Sequence, residues 1–546
     1  MMKSPTTVSG APVILDGDDW RLAIDPENVG REQQWSRGPI PGAKPARVPW
    51  IIQTTFPGYH GVAWYWHDFA GVPNPHEHGR ILLRFWAVDY QAEVWLNGQW
   101  VGEHEGGETP FVLDVTAAVN AGGSNRLAVR VLNPTHERID GIVLNETPHR
   151  CKVMPYGAGA AYNHGGIVDA VEMLVVPPVY LADLFCRPDP NTGRIRLQAT
   201  VRNAAASPAL GHFGFTVAPA SGGRLVATLR HDQPLPPGET IIDAVLRVDA
   251  PRRWELNDPY LYRVTARVQA AGVPAADEQT TRCGFRDFRF ADGYFRLNGR
   301  RLFLRCSHTC NHYPIGLQFP HDPDLARRDM MNAKVMGFNA VRFIWGGATR
   351  SQLDLCDELG LMVYDESYAA LPMVASPRMT ERYDHAVTEL IRRDRNHPSV
   401  VIWGLLNETP DGPVFQHAIT LIPTVRRLDD SRLILLNSGR FDARFDIGSI
   451  CNPGSMVWEC LLGGEAPEAP LSKSMLPLGY FERVGDAHAY PRVPQTAETF
   501  AFLRTMGHDT RHVFLSEYGV GSAVDLWRTV RHFERLGQAH MEDAVF

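Results

Sequence analysis

The sequence has few cysteines for its length and no long apolar run. Its eight cysteines are scattered over 546 residues, and no pair has the two-residue spacing of a redox or zinc motif. We therefore expect no disulfide framework. The N-terminal residues lack the apolar core of a secretory signal, and no stretch is long enough to cross a bilayer. These absences predict a reduced, cytoplasmic protein with no membrane partner.

The chain also lacks a strong charge of either sign. Its net charge is −7, and no run of lysine and arginine stands out. A nucleic-acid partner is not expected, because phosphates need a basic face to bind. Aromatic residues are present in number, with 13 Trp, 16 Tyr and 24 Phe. Flat rings suit sugar-binding clefts and protein cores alike, so this composition is only compatible with a sugar ligand.

Three stretches differ in their apolar pattern. Residues 1–178 show alternating segments, among them 91–96, which ends at the hairpin signal Asn97-Gly98. Such strands predict a β-sandwich or jelly roll. Residues 179–290 alternate again, and their length and short strands predict an immunoglobulin-like sandwich. From 291 to 546 apolar runs alternate with helical segments, which predicts a (β/α)8 TIM barrel.

The third stretch supplies seven candidate barrel strands. They are continuous apolar runs, as expected where both faces of a sheet are covered. The predicted strands are 301–305, 339–343, 361–364, 400–405, 433–436, 484–488 and 513–515, and the predicted helices are 323–336, 350–359, 378–393 and 497–506. An eighth strand is not visible, so we expect the barrel to be incomplete at its C-terminal end or closed from elsewhere.

Two of these strands end in a glutamate. Glu408 follows the run 400–405 directly after Asn407, and Glu517 follows 513–515. Because the carboxyl ends of barrel strands form the active face, both carboxyl groups should point towards a substrate. Hydrolysis of an acetal needs two such groups, one to protonate the leaving oxygen and one to stabilise or attack the anomeric carbon. The alternative for each glutamate alone is a helix cap or an ion pair with a nearby arginine.

Together the motifs resemble glycoside hydrolase family 2, which contains β-galactosidases, β-glucuronidases and β-mannosidases. The resemblance covers nearly the whole chain, and the Asn407-Glu408 phrase is its most specific part. The segments that carry it are 48–49, 61–66, 92–98 and 101–102 in the first stretch, 259–262 and 284–286 in the second with 297–299 just after it, and 337–342, 353–360, 365–366, 407–408 and 516–519 in the third.

The resemblance implies a retaining exo-β-glycosidase that acts by double displacement through a covalent glycosyl-enzyme. Glu408 looks like the general acid/base and Glu517 like the nucleophile. Asn407 would bind the 2-hydroxyl of the sugar, and Arg342 would orient a catalytic carboxylate. Tyr490 would donate a hydrogen bond to Glu517, with ordinary packing as the alternative. The resemblance further implies a glycoside or oligosaccharide substrate and leaves association into a homo-oligomer open.

Other positions depart from the pattern of galactosidase-like members. Trp345-Gly346-Gly347 is closer to β-mannosidase and exo-glucosaminidase relatives, and Trp345 would stack on a sugar or pack at the barrel mouth. His312 lies in a segment that lines the pocket in relatives. Asn163 and His164 belong to a loop that can touch substrate, with exposed loop polarity as the alternative.

No metal or cofactor is expected. The cluster of His308, Cys310 and His312 is too compressed for tetrahedral ligation without a fourth partner. The magnesium ligands of some galactosidases are not reproduced after Glu366. The sugar stays open between galactoside, glucuronide and mannoside. A different class of function also stays open, namely a non-catalytic carbohydrate-binding protein on a degenerate or truncated barrel.

Overall fold

The structure is a computed structural model that describes residues 11–150, 152, 162–311, 313, 324–368, 373–444, 446–459, 486–490, 494, 496–505, 514–519 and 526–540. In these ranges two antiparallel β-units precede a unit of parallel strands and helices. This arrangement confirms the predicted fold class. None of the helices in these ranges has both the length and the apolar character needed to cross a membrane.

The first unit is a sandwich of two main antiparallel sheets, one of four strands in the order β1-β12-β5-β9 and one of six in the order β3-β2-β4-β10-β7-β8. Asn97 and Gly98 both have positive φ angles, so the predicted hairpin joins β7 to β8 as expected. The elements are β1 (Val13–Ile14), β2 (Gly17–Ile24), β3 (Lys44–Val48), α1 (Ile52–Thr55), β4 (Gly61–Ala70), β5 (Arg80–Phe85), β6 (Val88–Asp89), β7 (Gln91–Leu96), β8 (Gln99–Glu105), β9 (Phe111–Asp114), β10 (Ser124–Asn133), β11 (Gly166–Ile167) and β12 (Val171–Val176), with 3-10 turns at Trp35–Arg37 and Leu144–Glu146.

The second unit packs a three-stranded sheet, β13-β14-β17, against a four-stranded sheet, β16-β15-β20-β21. Alternate residues of β14 and β20 are buried between the sheets, which is the period-2 pattern that the sequence shows. The strands are β13 (Val179–Pro188), β14 (Arg194–Asn203), β15 (Ala209–Pro219), β16 (Ala227–Leu235), β17 (Gly238–Arg247), β18 (Trp254–Glu255), β19 (Asp258–Pro259), β20 (Tyr262–Ala270) and β21 (Ala276–Cys283).

The third unit is introduced by a small antiparallel sheet, β22-β23-β24, and then forms the barrel strands. Its elements are β22 (Phe288–Ala291), β23 (Tyr294–Leu297), β24 (Arg300–Leu302), β25 (Cys306–Thr309), α2 (Leu325–Val335), β26 (Ala340–Phe343), α3 (Arg350–Leu359), β27 (Met362–Glu366), α4 (Met379–Asp394), β28 (Val400–Asn407), α5 (Pro413–Ile419), α6 (Ile422–Leu428), β29 (Leu433–Ser438), β30 (Ile450–Cys451), β31 (Asp486–Ala489), α7 (Ala497–Thr505), β32 (Phe514–Tyr518) and α8 (Leu526–Arg535).

The predicted first barrel strand, 301–305, is wrong. Arg300–Leu302 pairs antiparallel with β23, and the first parallel strand is β25, which pairs with β26. The apolar letters at 302–304 suggested a buried strand, whereas β25 itself is polar and partly exposed. The other six predicted strands and the four predicted helices are confirmed within the described residues, where several of their ends differ by a few residues.

The parallel strands place their carboxyl ends on one side of the barrel. Strands β25 to β29 run parallel in one sheet, with β30 antiparallel at its edge, and β31 and β32 form a second parallel pair. Every residue of β26, β27, β28 and β29 is buried, as two-sided coverage requires. Among the described strands, none pairs with the outer edge of β25 or of β32.

Candidate active site

Glu408 and Glu517 meet at the carboxyl ends of the barrel strands. Glu408 directly follows β28, and Glu517 lies near the end of β32. One oxygen of each carboxyl group lies within 4.8 Å of the other and of a nitrogen of His488. The two acids are 109 positions apart in the chain (517 − 408), so the parallel strand order is what brings them together.

The backbone at Glu408 has an unusual conformation. Its φ angle is 46°, in the left-handed region that residues other than glycine seldom adopt. Its N–H donates to the carbonyl of Ser438 on the neighbouring strand at 2.8 Å, which holds the turn in place. A left-handed residue of this kind raises the energy of the fold by about 1 kcal/mol, and such positions cluster at functional sites.

Arg342 is the central cation of the site. From β26, its guanidinium donates to Oε2 of Glu366 at 2.6 and 3.0 Å and to Oε1 of Glu517 at 3.0 Å. A further N–H donates to Oδ1 of Asn407 at 2.6 Å. The side chain is 1% exposed, so these partners replace all of its water. Although burial opposes the charge, the carboxylates of Glu366 and Glu517 hold the pKa of Arg342 above its ordinary value.

Asn407 and Trp345 each keep a donor available. The Nδ2 of Asn407 is buried and has no hydrogen-bond partner among the described residues, whereas its Oδ1 is held by Arg342. Trp345 has a φ of 55°, and its backbone N–H donates to Oε1 of Glu366 at 3.3 Å. Its indole Nε1 also lacks a partner within the described ranges. Buried donors without partners are rare, and a ligand is one way to satisfy them.

His488 bridges the two acids. Its Nδ1 lies 2.6 Å from Oε1 of Glu408, and its Nε2 lies 3.6 Å from Oε1 of Glu517. The same Nε2 lies 3.0 Å from Oγ of Ser438. Burial lowers the pKa of His488 to about 4, against the attraction of Glu517, so the ring is neutral near pH 7.

Burial raises the pKa of both glutamates. For Glu408 the positive charge of Arg342 opposes that rise. For Glu517 burial is again the main cause, opposed by Arg342 and His488 and supported by the nearby Glu408 and Glu366. Of these two acids, Glu517 accepts a hydrogen bond from Arg342, whereas Glu408 faces His488. The environment therefore favours an anion at Glu517 more than at Glu408.

The remaining sequence candidates are less closely tied to the two acids. The ring of Tyr490 lies 6.2 Å from that of His488, and its predicted bond to Glu517 stays a prediction. His312 lies outside the described residues. Asn163 is buried, accepts from Asn133 at 2.9 Å and donates to Pro134 at 2.8 Å. His164 is buried too, with Nδ1 3.2 Å from the carbonyl of Tyr162. Neither is a solvated loop residue.

Sequence reasoning did not identify five polar members of the site, among them His488 on β31. Glu366, Ser438 and Ser516 lie at or near strand ends, and Asp486 begins β31. The rule that selected Glu408, a polar residue at the end of a buried apolar run, also selects Glu366 and Ser438. It does not select Asp486 or His488, because their short strand alternates polar and small residues.

Two described clusters have ligand atoms close enough for a metal. One is Glu408, His488 and Glu517, and the other contains Asp357, His397 and Asp354. In the second cluster Asp357 already accepts from His397 at 2.7 Å and from Ser399 at 3.0 Å, which makes it a structural hydrogen-bond centre. The expectation of no metal and no cofactor stays a prediction.

Two β-galactosidases are similar in sequence. That of Aeromonas hydrophila subsp. hydrophila is 26% identical over 598 residues, which cover 98% of this chain and 52% of that protein. That of Enterobacter cloacae is 29% identical over 353 residues, 61% of this chain and 32% of that protein. The chain thus spans about half the length, or less, of these curated relatives.

Solved β-glucuronidases share the fold. The Bacteroides uniformis enzyme gives a TM-score of 0.72 at 22% identity, with 94% of this chain and 60% of that chain covered. The Ruminococcus gnavus enzyme in complex with D-glucuronic acid gives a TM-score of 0.66 at 24% identity, with 80% and 74% covered.

Family models match the three units in turn. The sugar-binding domain of the glycosyl hydrolases family 2 matches residues 14–177, the central family 2 domain matches 179–286, and the family 2 TIM-barrel domain matches 288–460. The order and bounds of these matches follow the order of the two sandwiches and the barrel. The chain belongs to glycoside hydrolase family 2.

Proposed function

We propose that the chain is a retaining exo-β-glycosidase, with Glu517 as nucleophile and Glu408 as general acid/base. The observation that carries the proposal is the approach of their carboxyl oxygens to within 4.8 Å. Retaining enzymes hold their two carboxyl groups about 5–5.5 Å apart, whereas inverting enzymes need about 6.5–9.5 Å to admit a water. The short separation supports direct attack on the anomeric carbon.

In the first step, an oxygen of the Glu517 carboxylate forms a bond to the anomeric carbon. The bond between that carbon and the leaving oxygen breaks, and Glu408 gives its proton to the leaving oxygen. The raised pKa of Glu408 supports this role, because burial makes its carboxyl group hold a proton more readily than an exposed glutamate does. Arg342 supports the opposite state at Glu517, since its guanidinium stabilises the carboxylate.

In the second step, the ionised Glu408 removes a proton from water as the water oxygen attacks the anomeric carbon. The ester bond to Glu517 breaks, which restores its carboxylate, and Glu408 is protonated again. The sugar keeps its configuration because the carbon is attacked twice, from opposite faces. Asn407 directly precedes Glu408 and accepts from Arg342, which also binds Glu517. Its Nδ2 has no partner among the described residues, which supports a contact to the 2-hydroxyl of the sugar.

The substrate class that we propose is a terminal β-linked glycoside. Relatives named β-galactosidases and fold neighbours named β-glucuronidases support two sugars, and Trp345-Gly346-Gly347 supports a mannoside as the third. Glucuronides carry a negative charge, whereas galactosides and mannosides are neutral. Activity measurements on the three glycosides therefore decide between these sugars.

A panel of 4-nitrophenyl β-glycosides tests the proposal. The panel contains the galactoside, glucuronide, mannoside and glucoside, offered to the wild type, Glu408→Ala and Glu517→Ala. We expect turnover of at least one member by the wild type, and a loss of about a thousandfold or more in each variant. Azide should restore turnover to each variant and give a β-glycosyl azide with Glu408→Ala but an α-glycosyl azide with Glu517→Ala.

Glu459→Ala is a matched control, because Glu459 is a described carboxylate that binds Asn452 away from the two acids. It should keep the activity of the wild type. If the folded wild type binds a saccharide but hydrolyses no member of the panel, the chain is a carbohydrate-binding protein and the hydrolytic proposal is wrong.

A further inference from the structure

A row of hydroxyl groups connects His488 to a buried carboxylate. Oγ of Ser438 lies 3.0 Å from His488 Nε2 and donates to Oγ of Ser516 at 2.8 Å. Ser516 in turn donates to Oδ1 of Asp486. We call Asp486, Ser516 and Ser438 the serine relay. Its members come from β31, β32 and β29, so the relay depends on the packing of three separate strands.

The direction in which the relay hydroxyl groups donate follows from Asp486, the residue farthest from His488. Oδ1 of Asp486 also accepts from the backbone N–H of Gly439 at 3.1 Å, so this oxygen is an acceptor towards both neighbours. Ser516 must therefore use its single hydrogen on Asp486, and Ser438 must use its own on Ser516. No hydrogen of Ser438 is left to donate to His488. The contact is satisfied only if Nε2 of His488 carries the proton.

The tautomer of His488 determines its contact with Glu408. A neutral imidazole carries one hydrogen, so an Nε2–H ring has a bare lone pair at Nδ1. That lone pair faces Oε1 of Glu408 at 2.6 Å. A carboxylate at this distance would place lone pair against lone pair, whereas a protonated carboxyl group would donate a hydrogen bond. We propose that the serine relay fixes the proton of His488 on Nε2 and thereby keeps the proton of Glu408 in place.

The proposal rests on the proposed function and deepens it. In the first step, a general acid must hold its proton until the leaving oxygen takes it. In the second step, the same group must recover a proton from water, and the lone pair at Nδ1 favours that recovery as well. The relay members do not touch the reacting atoms, so they are positioning residues that act through His488.

Several other described groups near His488 favour the same protonation state. Glu517, from β32, attracts the Nε2 proton from 3.6 Å. The charge of Arg342, from β26, opposes a positive imidazole, and His308 on β25 is neutral because burial lowers its pKa to about 4. Burial also raises the pKa of Asp486 to about 6, yet its Oδ1 accepts in either state because a proton can reside on Oδ2.

A nitrogen spectrum tests the tautomer without any substrate. The full chain is labelled with 15N-histidine, and the signals of His488 are identified by their loss in His488→Gln. We expect a pyrrole-like shift for Nε2 and a pyridine-like shift for Nδ1 at pH 6. A pyrrole-like Nδ1, or two protonated nitrogens, would overturn the proposal. This readout does not depend on hydrolysis, so it separates failure of the relay from failure of the proposed function.

Ser516→Ala tests the consequence for the acid. Without its acceptor, Ser438 can turn its hydrogen towards Nε2, and the His488 proton can move to Nδ1 and favour an ionised Glu408. The alkaline limb of kcat/KM, measured with the nitrophenyl glycoside that the wild type hydrolyses, should move down by about one pH unit. The acidic limb, which reports Glu517, should stay in place.

Substrates with different leaving groups provide a second test of whether Ser516→Ala impairs the proton donation by Glu408. Near the alkaline limb, the phenyl glycoside of the same sugar should lose about tenfold in Ser516→Ala, and the 2,4-dinitrophenyl glycoside should lose little, because a good leaving group needs no proton. Ser516→Thr keeps the hydroxyl and should restore the wild-type profile. Ser399→Ala, a buried serine at the opposite end of β28, is the structural control. An unmoved alkaline limb in a folded Ser516→Ala enzyme contradicts the relay.

Discussion

Arg342 and Arg286 are both buried guanidinium groups that bind the barrel strands, at opposite ends of those strands. Arg286 donates to three backbone carbonyls at the amino ends of β28 and β29, those of Pro398, Val400 and Ser431, at 2.8–3.0 Å. Arg342 instead donates mainly to side chains at the carboxyl ends. Burial lowers the pKa of Arg286 to about 9, whereas carboxylates hold that of Arg342 above its ordinary value.

The two arginines indicate that one end of the barrel strands serves stability and the other end serves catalysis. Carbonyls at the amino ends are part of the backbone, and an arginine that donates hydrogen bonds to them stabilises the position of the strands. Carboxylates at the carboxyl ends are titratable, and an arginine bound to them determines which acid is charged. The amino end therefore contributes to the free energy of unfolding, and the carboxyl end determines the protonation states that hydrolysis needs.

The largest expected effect comes from exchanging each arginine for lysine. In Arg342→Lys a single ammonium cannot reach the carboxylates of Glu366 and Glu517 and the amide of Asn407 in fixed geometry. We expect kcat/KM to fall about a hundredfold or more. In Arg286→Lys we expect kcat/KM per folded molecule to stay within about twofold, while the free energy of unfolding falls by about 2 kcal/mol. Steady-state kinetics and urea denaturation measure both. Equal losses of activity in the two variants would contradict the division between a stabilising Arg286 and a catalytic role for Arg342.

A smaller effect is expected at Asn407, whose Nδ2 lacks a partner among the described residues. Asn407→Ala should lower kcat/KM by about a hundredfold or less, because the contact to the 2-hydroxyl strengthens in the transition state. The wild type should lose a similar factor when it is given the 2-deoxy glycoside. Combining the variant with the 2-deoxy substrate should add little, since both remove the same contact. Fully additive losses would show that Asn407 acts elsewhere.

The smallest effect concerns stability and pH. Burial raises the pKa of Glu408 in the folded state, so its contribution to stability is present at low pH and is lost as the pH rises through the folded pKa. Glutamine cannot ionise. The Tm of Glu408→Gln relative to wild type should therefore be higher at pH 8 than at pH 4, by about 2 °C. Glu381→Gln, at an exposed carboxylate paired with Arg378, should show no such gain at pH 8.

Much of the fold was predictable because its patterns are local. The alternation in β14 and β20, the Asn97-Gly98 hairpin and the continuous apolar run of β28 each indicate one type of element. The first barrel strand could not be predicted in this way, because β25 is polar and partly exposed. The apolar residues just before it belong to the hairpin of β23 and β24 and to the segment that follows β24.

The site was predictable only in part. Glu408, Glu517, Asn407 and Arg342 stand at the ends of apolar runs, and the structure brings these four side chains together. The bridge through His488 depends on how β31 and β32 are aligned, and their register shifts between Ala487 and His488. No local pattern encodes such a shift. Asn163 and His164, expected in an exposed loop or at the substrate, are buried in the first unit, where Asn163 bonds Asn133 and Pro134 and His164 lies near Asp89.

Trapping the glycosyl-enzyme tests the central claim most directly. The wild type is incubated with the 2-deoxy-2-fluoro-β-glycosyl fluoride of the sugar that it hydrolyses, then digested and examined by mass spectrometry. Fluorine at C2 slows both steps, and the good leaving group lets the first step proceed, so the ester accumulates. The account predicts one fluoroglycosyl group, attached to Glu517, and none in Glu517→Gln. A label on another residue, or sustained turnover of ordinary glycosides with no label, would contradict it.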